Sequence, residues 1–215
     1  GIFMHTTSLE GNNVMRTVAT DGHRLARVEM PVPQGAAGMP GIIIPRKTVT
    51  ELRKLIDEIT DDIDIALSET SVRFAFNNAV LTSKLIDGTF PDYERVIPTG
   101  NDKSLNVDCR SFAEAVDRVA TISTEKSRAV KLAVAGNNLV LTASSPDNGT
   151  AREEISVDYD AAAIEIGFNA RYLLDIAQQI EGSEAEFIVA DAASPTIVRD
   201  SADDSALYVL MPMRV

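Results

Sequence analysis

Several residue types that mark particular classes of protein are scarce in this sequence. The single cysteine, Cys109, excludes a disulfide within the chain and a Cys-rich zinc site, so we expect a reducing, cytoplasmic environment. Histidine occurs only at His5 and His23, and no glycine motif of the phosphate-cradling kind is found. No apolar run reaches the roughly eighteen residues that a membrane span needs, and no export leader is recognisable. We therefore expect no membrane association.

Positive charge is also in short supply. The chain has 20 Lys and Arg against 32 Asp and Glu, a formal net charge of −12. Tight binding to DNA phosphates needs a basic surface, so this composition argues against a protein that grips DNA. It is compatible with a protein that surrounds DNA loosely and gathers its few basic residues on one face. An apolar content of 45% over 215 residues predicts packed cores in one large or two ordinary domains.

The sequence repeats itself about every sixty residues. Polar turns at residues 11–13, 77–78 and 136–138 each precede a run of alternating apolar residues, and a fourth turn at Ser194 and Pro195 does the same. A turn followed by such alternation is typical of a β-hairpin. Four hairpins at regular spacing predict a repeated structural unit.

Helical patterns follow the same period. Residues 46–58, 110–122 and 170–180 place apolar side chains on one side at helical spacing. The predicted unit is one helix with three or four strands. Since neither element can bury its apolar face alone, two units should pair into an α+β domain of about 120 residues.

This period predicts two domains, at residues 1–98 and 104–215, joined by a linker at 99–103. The two halves of the second domain, residues 104–162 and 163–215, are expected to share one topology. A helix and about thirty residues precede the turn at 136–138, whereas few residues precede the turn at 11–13. The first domain is therefore expected to lack its opening strand and first helix.

Four stretches resemble a known family. They are Thr-Val-Ala-Thr-Asp-Gly-His-Arg-Leu-Ala at 17–26, residues 82–85 with 88–93, Ile-Gly-Phe-Asn at 166–169, and Met-Pro-Met-Arg at 211–214. All are similar to bacterial sliding clamps, the beta subunit of the replicative DNA polymerase. The resemblance implies the DNA-clamp fold and a ring of two three-domain protomers arranged head to tail, with helices lining the hole. It further implies a non-enzymatic processivity factor, of which this chain matches most of the middle domain and all of the third.

The resemblance also implies a peptide-binding pocket. Its residues would be Thr20, Gly22, His23, Arg24, Leu25, Pro91, Arg95, Val96, Asn169, Tyr172, Val209, Leu210, Met211, Pro212, Met213 and Arg214. Partners would be polymerase and clamp-loader subunits that carry short linear motifs of the Gln-Leu-x-Leu-Phe type. Arg24, Arg95 and Arg214 are expected to hold polar or acidic groups of the peptide at the rim. Ser127, Ala193 and Pro195 depart from the family pattern, so the resemblance does not define the outer subsite of the pocket.

Contacts with DNA and with a second protomer are expected elsewhere. Arg46, Lys47, Arg53 and Lys54 group opposite the apolar face of the first predicted helix, as in a helix that faces a duplex without reading bases. An ordinary solvated helix face explains them equally well. Thr121 and Ile122, with the acidic segment 147–154, would be an exposed ring interface. In the family that interface meets the first domain of the next protomer, so this chain alone is expected to be monomeric.

Two other functions remain open from the residues alone. Asp21 and His23 could form the acid–base pair of a hydrolase, although a tight turn without catalytic role is the favoured interpretation. An acidic, β-rich interaction scaffold without a DNA role is the other alternative. The acidic clusters at 61–64 and 200–204 lack calcium-loop spacing and are predicted to be solvated turns. We therefore expect no metal, no cofactor and no catalytic residue.

Overall fold

The computed structural model describes residues 1–9, 11–57, 59–123 and 128–215. Glu58, at the end of the first predicted helix, and Ser127 lie outside the described residues. The chain divides into two compact units: unit 1 contains Gly1–Ala19 and Arg27–Asp92, and unit 2 contains Thr20–Ala26 and Tyr93–Val215. The domain boundary at 99–103 stays a prediction.

The secondary structure consists of strands interspersed with a few helices. In chain order the first elements are β1 Ile2–Leu9, β2 Asn12–Thr20, β3 Arg24–Pro31, β4 Ile42–Ile44, α1 Arg46–Ile56, β5 Asp64–Leu67, β6 Ser71–Phe76 and β7 Ala79–Lys84. A 3-10 helix at Tyr93–Val96 follows. The remaining elements are β8 Lys103–Asp108, α2 Cys109–Ala120, β9 Ala129–Ala135, β10 Asn138–Ser145, β11 Gly149–Ser156, β12 Ile164–Asn169, α3 Ala170–Ala177, β13 Glu184–Val189, β14 Thr196–Asp200 and β15 Ala206–Leu210. The predicted α+β class is confirmed.

The predicted hairpins are present, and their turns explain the residues found in them. Gly11, Asn77 and Gly136 have positive φ angles of 85°, 46° and 54°. Glycine adopts this region freely, and asparagine tolerates it better than most residues. The turns join β1 to β2, β6 to β7 and β9 to β10, and each pair of strands is antiparallel.

Unit 2 is built from two halves with the same order of elements, strand–helix–strand–strand–strand. The first half is β8, α2 and β9–β11, and the second is β12, α3 and β13–β15. The first strand of each half pairs with the other half: β8 lies beside β13, and β12 lies beside β9. The strand orders are therefore β11-β10-β9-β12 and β15-β14-β13-β8. The predicted common topology of the two halves is confirmed.

The core of unit 2 lies between these strands and the two helices. In α2, Phe112, Ala115, Val116 and Val119 are buried, which is the spacing of one helix face. The Phe112 ring packs against that of Phe187 on β13, with 5.2 Å between ring centroids. Helix α2 also contacts α3. Both helices are thus held by the shared interior of the two halves.

The described residues of unit 1 form a single α-helix, α1. The strand order β4-β1-β2-β3 repeats the order β12-β9-β10-β11 of unit 2, and β5-β6-β7 corresponds to β13-β14-β15. Among the described residues of unit 1, no element takes the places of β8 and α2. All four residues of β5 are exposed, and Thr48 is the only buried residue within α1. Across the described parts of the chain, no helix has the length and apolar character to cross a membrane.

Asp108 offers a test of how α2 begins. Its side chain accepts a hydrogen bond from the Ser111 backbone N–H at 2.7 Å, and hydrogen bonds from Ser111 lower the pKa of this carboxyl. We expect Asp108→Ala to lower the free energy of unfolding by about 1 kcal/mol at neutral pH, measured by urea denaturation.

The pH dependence has a defined sign. The folded pKa of Asp108 lies below its ordinary value of 3.8, so its stabilisation is present above that value and is lost as the pH falls through the lowered one. The penalty of Asp108→Ala should therefore shrink in acid. Asp117→Ala, on the exposed side of the same helix, is the control, and an equal penalty for both variants would contradict the capping role.

Candidate functional site

The turn between β2 and β3 is braced by its own side chains. The Thr20 hydroxyl donates to the Arg24 carbonyl at 2.9 Å and accepts from the Gly22 N–H at 3.1 Å. One Asp21 oxygen accepts the backbone N–H groups of His23 and Arg24, both at 3.0 Å. Gly22 has a φ of +86°, which few other residues tolerate. The segment Thr20–Ala26 belongs to unit 2.

The Asp21 carboxylate serves this turn. Its second oxygen accepts from Arg24 Nε at 3.2 Å. Partial burial by itself would raise the pKa of Asp21, but hydrogen bonds from His23 and Arg24 outweigh it and lower the pKa. Asp21 is thus an anion that binds the backbone of His23. This arrangement supports the turn interpretation over an Asp–His pair that orients a general base.

Arg24 links the turn to helix α3. Its Nη1 donates to Asp175 at 2.6 Å, and its guanidinium lies over the Tyr172 ring, 4.2 Å from the centroid. Tyr172 and Asp175 are three residues apart and so share one side of the helix. Burial alone would lower the pKa of Arg24, but hydrogen bonds to Asp175 and Asp21 raise it. The arginine therefore stays charged.

No motif in the sequence marks Asp175 as a site residue. It stands 151 residues from Arg24 in the chain, and only the fold brings the two together. The sequence shows only that Asp175 follows Tyr172 by three residues on a predicted helix. That spacing does not distinguish it from an ordinary solvated helix residue.

The end of β15 and the tail after it adjoin the same turn. The Met211 N–H donates to the His23 carbonyl at 2.9 Å, and the Met213 N–H donates to the Gly167 carbonyl at 2.8 Å. A Cβ at position 167 would lie 2.6 Å from the Met213 carbonyl oxygen and 2.4 Å from a Val215 methyl group. Position 167 therefore needs glycine for the tail to lie across β12.

A groove follows this tail. It has a volume of about 520 Å³ and is lined by Lys131, Glu165, Ala192, Ala193, Pro212, Met213, Arg214 and Val215. Lys131 and Glu165 form an ion pair at 3.2 Å on its wall. Pro212, Met213 and Arg214 were predicted for the pocket, and Ala193 was noted only as a departure from the family pattern. Small and flexible apolar side chains beside charged ones can accept an apolar residue of an extended peptide.

Other predicted pocket residues have different surroundings. Val209 and Leu210 are each only 1% exposed, and Leu210 belongs to the core of unit 2. The Asn169 side chain accepts from the Arg171 N–H at 2.9 Å and caps α3. Leu25 is buried. Pro91 is exposed in unit 1, and Arg95 and Val96 are exposed on the 3-10 helix of unit 2.

The residues predicted to face DNA all lie on α1. Arg46, Lys47, Arg53 and Lys54 are exposed, and Lys54 forms an ion pair with Glu51 at 3.2 Å. Their grouping on a solvated side of the helix is compatible with a helix that faces DNA and with an ordinary solvated helix face.

The two residues predicted for a ring interface differ in exposure. Thr121 is exposed. Ile122 is half-buried and packs against the core of unit 2, and its carbonyl accepts from the Asn148 side chain at 3.2 Å. Ile122, two residues beyond the end of α2, is thus only partly exposed, and its role in a ring interface stays a prediction. Strand β11, which contains most of the acidic segment, lies at the edge of its sheet.

The acidic clusters lie at strand ends: the one at 61–64 leads into β5, which begins at Asp64, and the one at 200–204 starts at Asp200, where β14 ends. Asp203 accepts hydrogen bonds from the backbone and hydroxyl of Ser205, at 2.8 Å and 2.9 Å. Asp200 accepts the Gly182 N–H at 2.7 Å. Among the described residues, no group of three or more His, Cys, Asp and Glu is placed to hold a metal ion.

Gly167 provides a test of the groove. We expect Gly167→Ala to displace the tail from β12, because the added Cβ would collide with the Met213 backbone. The readout is hydrogen exchange of the Met213 amide, which should become fast. Gly100→Ala is the matched control, since a Cβ there meets nothing within 4 Å. Unchanged protection at Met213 would show that the tail is not held against β12.

Comparison with known proteins gives a consistent result. The model for the DNA polymerase III beta subunit, C-terminal domain, matches residues 94–214, and the model for its central domain matches residues 4–92. The chain is 56% identical over 215 residues to the beta sliding clamp of Caulobacter vibrioides and covers 58% of that protein. It is 40% identical over 201 residues to the beta sliding clamp of Escherichia coli K12, with 94% of this chain and 55% of the relative covered.

Solved structures agree with these matches. The sliding clamp of Bartonella birtlesii bound to griselimycin has a TM-score of 0.96 and 51% identity, and the alignment covers all of this chain and 58% of that one. A C. crescentus beta sliding clamp with bound polyethylene glycol has a TM-score of 0.97 and 56% identity, with 100% and 57% covered. The chain thus spans a little more than half the length of the proteins it matches.

Proposed function

This chain belongs to the DNA polymerase III beta subunit family, and we propose that it acts within a sliding clamp, a non-catalytic processivity factor. The clamp encircles double-stranded DNA in the cytoplasm and tethers polymerase and clamp-loader subunits through short peptide motifs. Ring closure and the DNA-bound state are properties that we assign to the full-length clamp, because the chain covers 58% of its relative. The observation that carries the proposal is the groove along Pro212, Met213 and Arg214, beside the turn that Met211 fastens.

The groove suits an extended apolar peptide. Met213 and Pro212 offer apolar contact, and methionine adapts its shape to different partners. Burying one apolar side chain contributes about 1.5 to 3 kcal/mol. A peptide with two such anchors reaches roughly micromolar affinity after the costs of ordering. The turn with His23 and Arg24 is joined to the start of the tail by the Met211 N–H, and Arg24 contacts Tyr172 on α3.

We propose a loose contact with DNA. The four basic residues of α1 are exposed on one helix and would approach phosphates without reading bases. With a net charge of −12, the remaining surface repels the duplex. Such a protein keeps its hold on DNA by enclosing it, and the few phosphate contacts leave it free to slide.

We place the ring contact of the full-length clamp at Thr121, Ile122 and the neighbouring edge strand β11. An edge strand has unpaired backbone groups that another protomer can extend. The partner surface in the family is the first domain of the next protomer, and this heterologous contact needs both surfaces. Sedimentation of this chain should therefore give a monomer, and a stable two-fold ring would contradict the assignment.

The peptide site is tested by fluorescence anisotropy with a labelled peptide of the Gln-Leu-x-Leu-Phe type. We expect roughly micromolar affinity. Removing residues 211–215 should abolish binding, because the wall of the groove and the bond to His23 are lost. Circular dichroism should stay close to that of the intact chain, since β15 ends at Leu210.

Point variants refine this experiment. Met213→Ala should weaken binding about tenfold, by the loss of roughly 1 to 2 kcal/mol of apolar contact. Met30→Ala makes the same chemical change at an exposed methionine that does not line the groove, and it should leave the affinity unchanged. His23→Ala should weaken binding only partly. Equal affinities for the intact chain and the variant lacking residues 211–215 would place the peptide elsewhere.

A further inference from the structure

The Arg24 guanidinium lies between two carboxylates. Asp175 accepts from Nη1 at 2.6 Å, and Asp21 accepts from Nε at 3.2 Å. The Tyr172 ring covers one face of the same group at 4.2 Å. One positive charge therefore faces two negative charges at the surface where we place the peptide. The local charge is therefore net negative, whereas an arginine that binds an acidic group needs a net positive surrounding.

We propose that Asp175 is a positioning and specificity residue of the peptide site. It holds Arg24 flat against Tyr172 and neutralises the guanidinium, so that the site does not select acidic peptides. The inference rests on the proposed peptide-binding function. It also replaces the expectation that Arg24 holds an acidic group of the partner, because Asp175 and Asp21 already accept from its Nη1 and Nε groups and balance its charge.

The position of Asp175 is transmitted through a short chain of hydrogen bonds. Arg24 is bound to Asp175 by its side chain and to Thr20 and Asp21 by its backbone. The preceding carbonyl, of His23, accepts the Met211 N–H. Movement of Arg24 would therefore reach the residue from which the groove-lining tail begins. Asp175 thus acts on the groove through Arg24 and has no need to touch the peptide.

A role in specificity can be separated from a role in stability. The side chains of Arg24 and Asp175 are 31% and 40% exposed, and ion pairs at such exposure contribute little to folding. Charge at a binding surface has its larger effect on the choice of partner, by attraction or repulsion of charged ligands. Neutralising Asp175 should leave the fold intact and change which peptide is preferred.

The experiment compares two labelled peptides, Gln-Leu-Ser-Leu-Phe and Gln-Leu-Asp-Leu-Phe, by anisotropy at low and high salt. The unmodified chain should bind the Asp peptide no more tightly than the Ser peptide. Asp175→Asn should bind the Ser peptide a few-fold more weakly, because Arg24 is less well held. It should prefer the Asp peptide about three- to tenfold, since one donor group of Arg24 becomes free. High salt should reduce that preference.

Three further variants make the result specific. Asp175→Glu keeps the charge and should keep the original lack of preference. Asp160→Asn removes an exposed charge that is not among the Arg24 contacts and should change neither affinity. In an Arg24→Gln background, Asp175→Asn should create no preference, because the freed cation is absent. Urea midpoints of all variants should match that of the unmodified chain.

The outcomes distinguish the two proposals. If the unmodified chain binds neither peptide, the proposed function fails and this inference fails with it. If the chain binds the Ser peptide but Asp175→Asn weakens both peptides equally or leaves both unchanged, the specificity role of Asp175 is overturned and the peptide site stands. A preference for the Asp peptide that persists without Arg24 would also overturn it.

Discussion

Strand β12 leaves its own half of unit 2 to pair with β9, while β8 pairs with β13 in return. This exchange ties the two halves together by backbone hydrogen bonds and encloses one apolar interior between them. It also places the candidate site. Gly167 lies on β12, and Asn169 at its end caps α3. The tail that crosses Gly167 and the helix that carries Tyr172 are therefore fixed by a single strand.

The candidate site combines buried residues at the end of β15 with partly exposed residues in the tail that follows. Val209 and Leu210 are buried, whereas the residues that follow are partly exposed and include the adaptable side chains of Met211 and Met213. A pocket that serves several partners benefits from such a division, because the backbone is preorganised while side chains adapt. In our proposal, the ion pairs of Arg24 determine which charges this surface accepts.

Much of the fold could be predicted from the sequence, because amphipathic spacing and turn residues are local signals. The predicted helices at 46–58, 110–122 and 170–180 correspond to α1, α2 and α3, which end two or three residues earlier than predicted, while α2 begins one residue earlier. The DNA-clamp fold implied by the resemblance is confirmed by structures with TM-scores of 0.96 and 0.97. Helix ends are less predictable because apolar periodicity continues into the turns that follow.

The features that escaped prediction are those created by distant contacts. The pairing of β12 with β9 and of β8 with β13 cannot be predicted from the sequence pattern of either half alone. The bond between Arg24 and Asp175 spans 151 positions, and the half-burial of Ile122 depends on how the end of α2 meets the core. Met213 and Arg214, which the family motifs assign to the pocket, line a groove, whereas Leu210, assigned to the same pocket, is buried. Local patterns specify elements, and the fold decides which side chains remain accessible.

The edge strand β5 affects how readily backbone amides of unit 1 exchange with solvent. Among the described residues, β5 pairs with β6 alone and all of its residues are exposed, whereas its counterpart β13 lies between β8 and β14. In this chain the backbone amides of β5 should therefore exchange with solvent through local fraying, while those of β13 should exchange only when a larger part of unit 2 opens. Ile65 and Leu67 of β5 are exposed. Association between chains in concentrated solution should therefore begin at this strand edge.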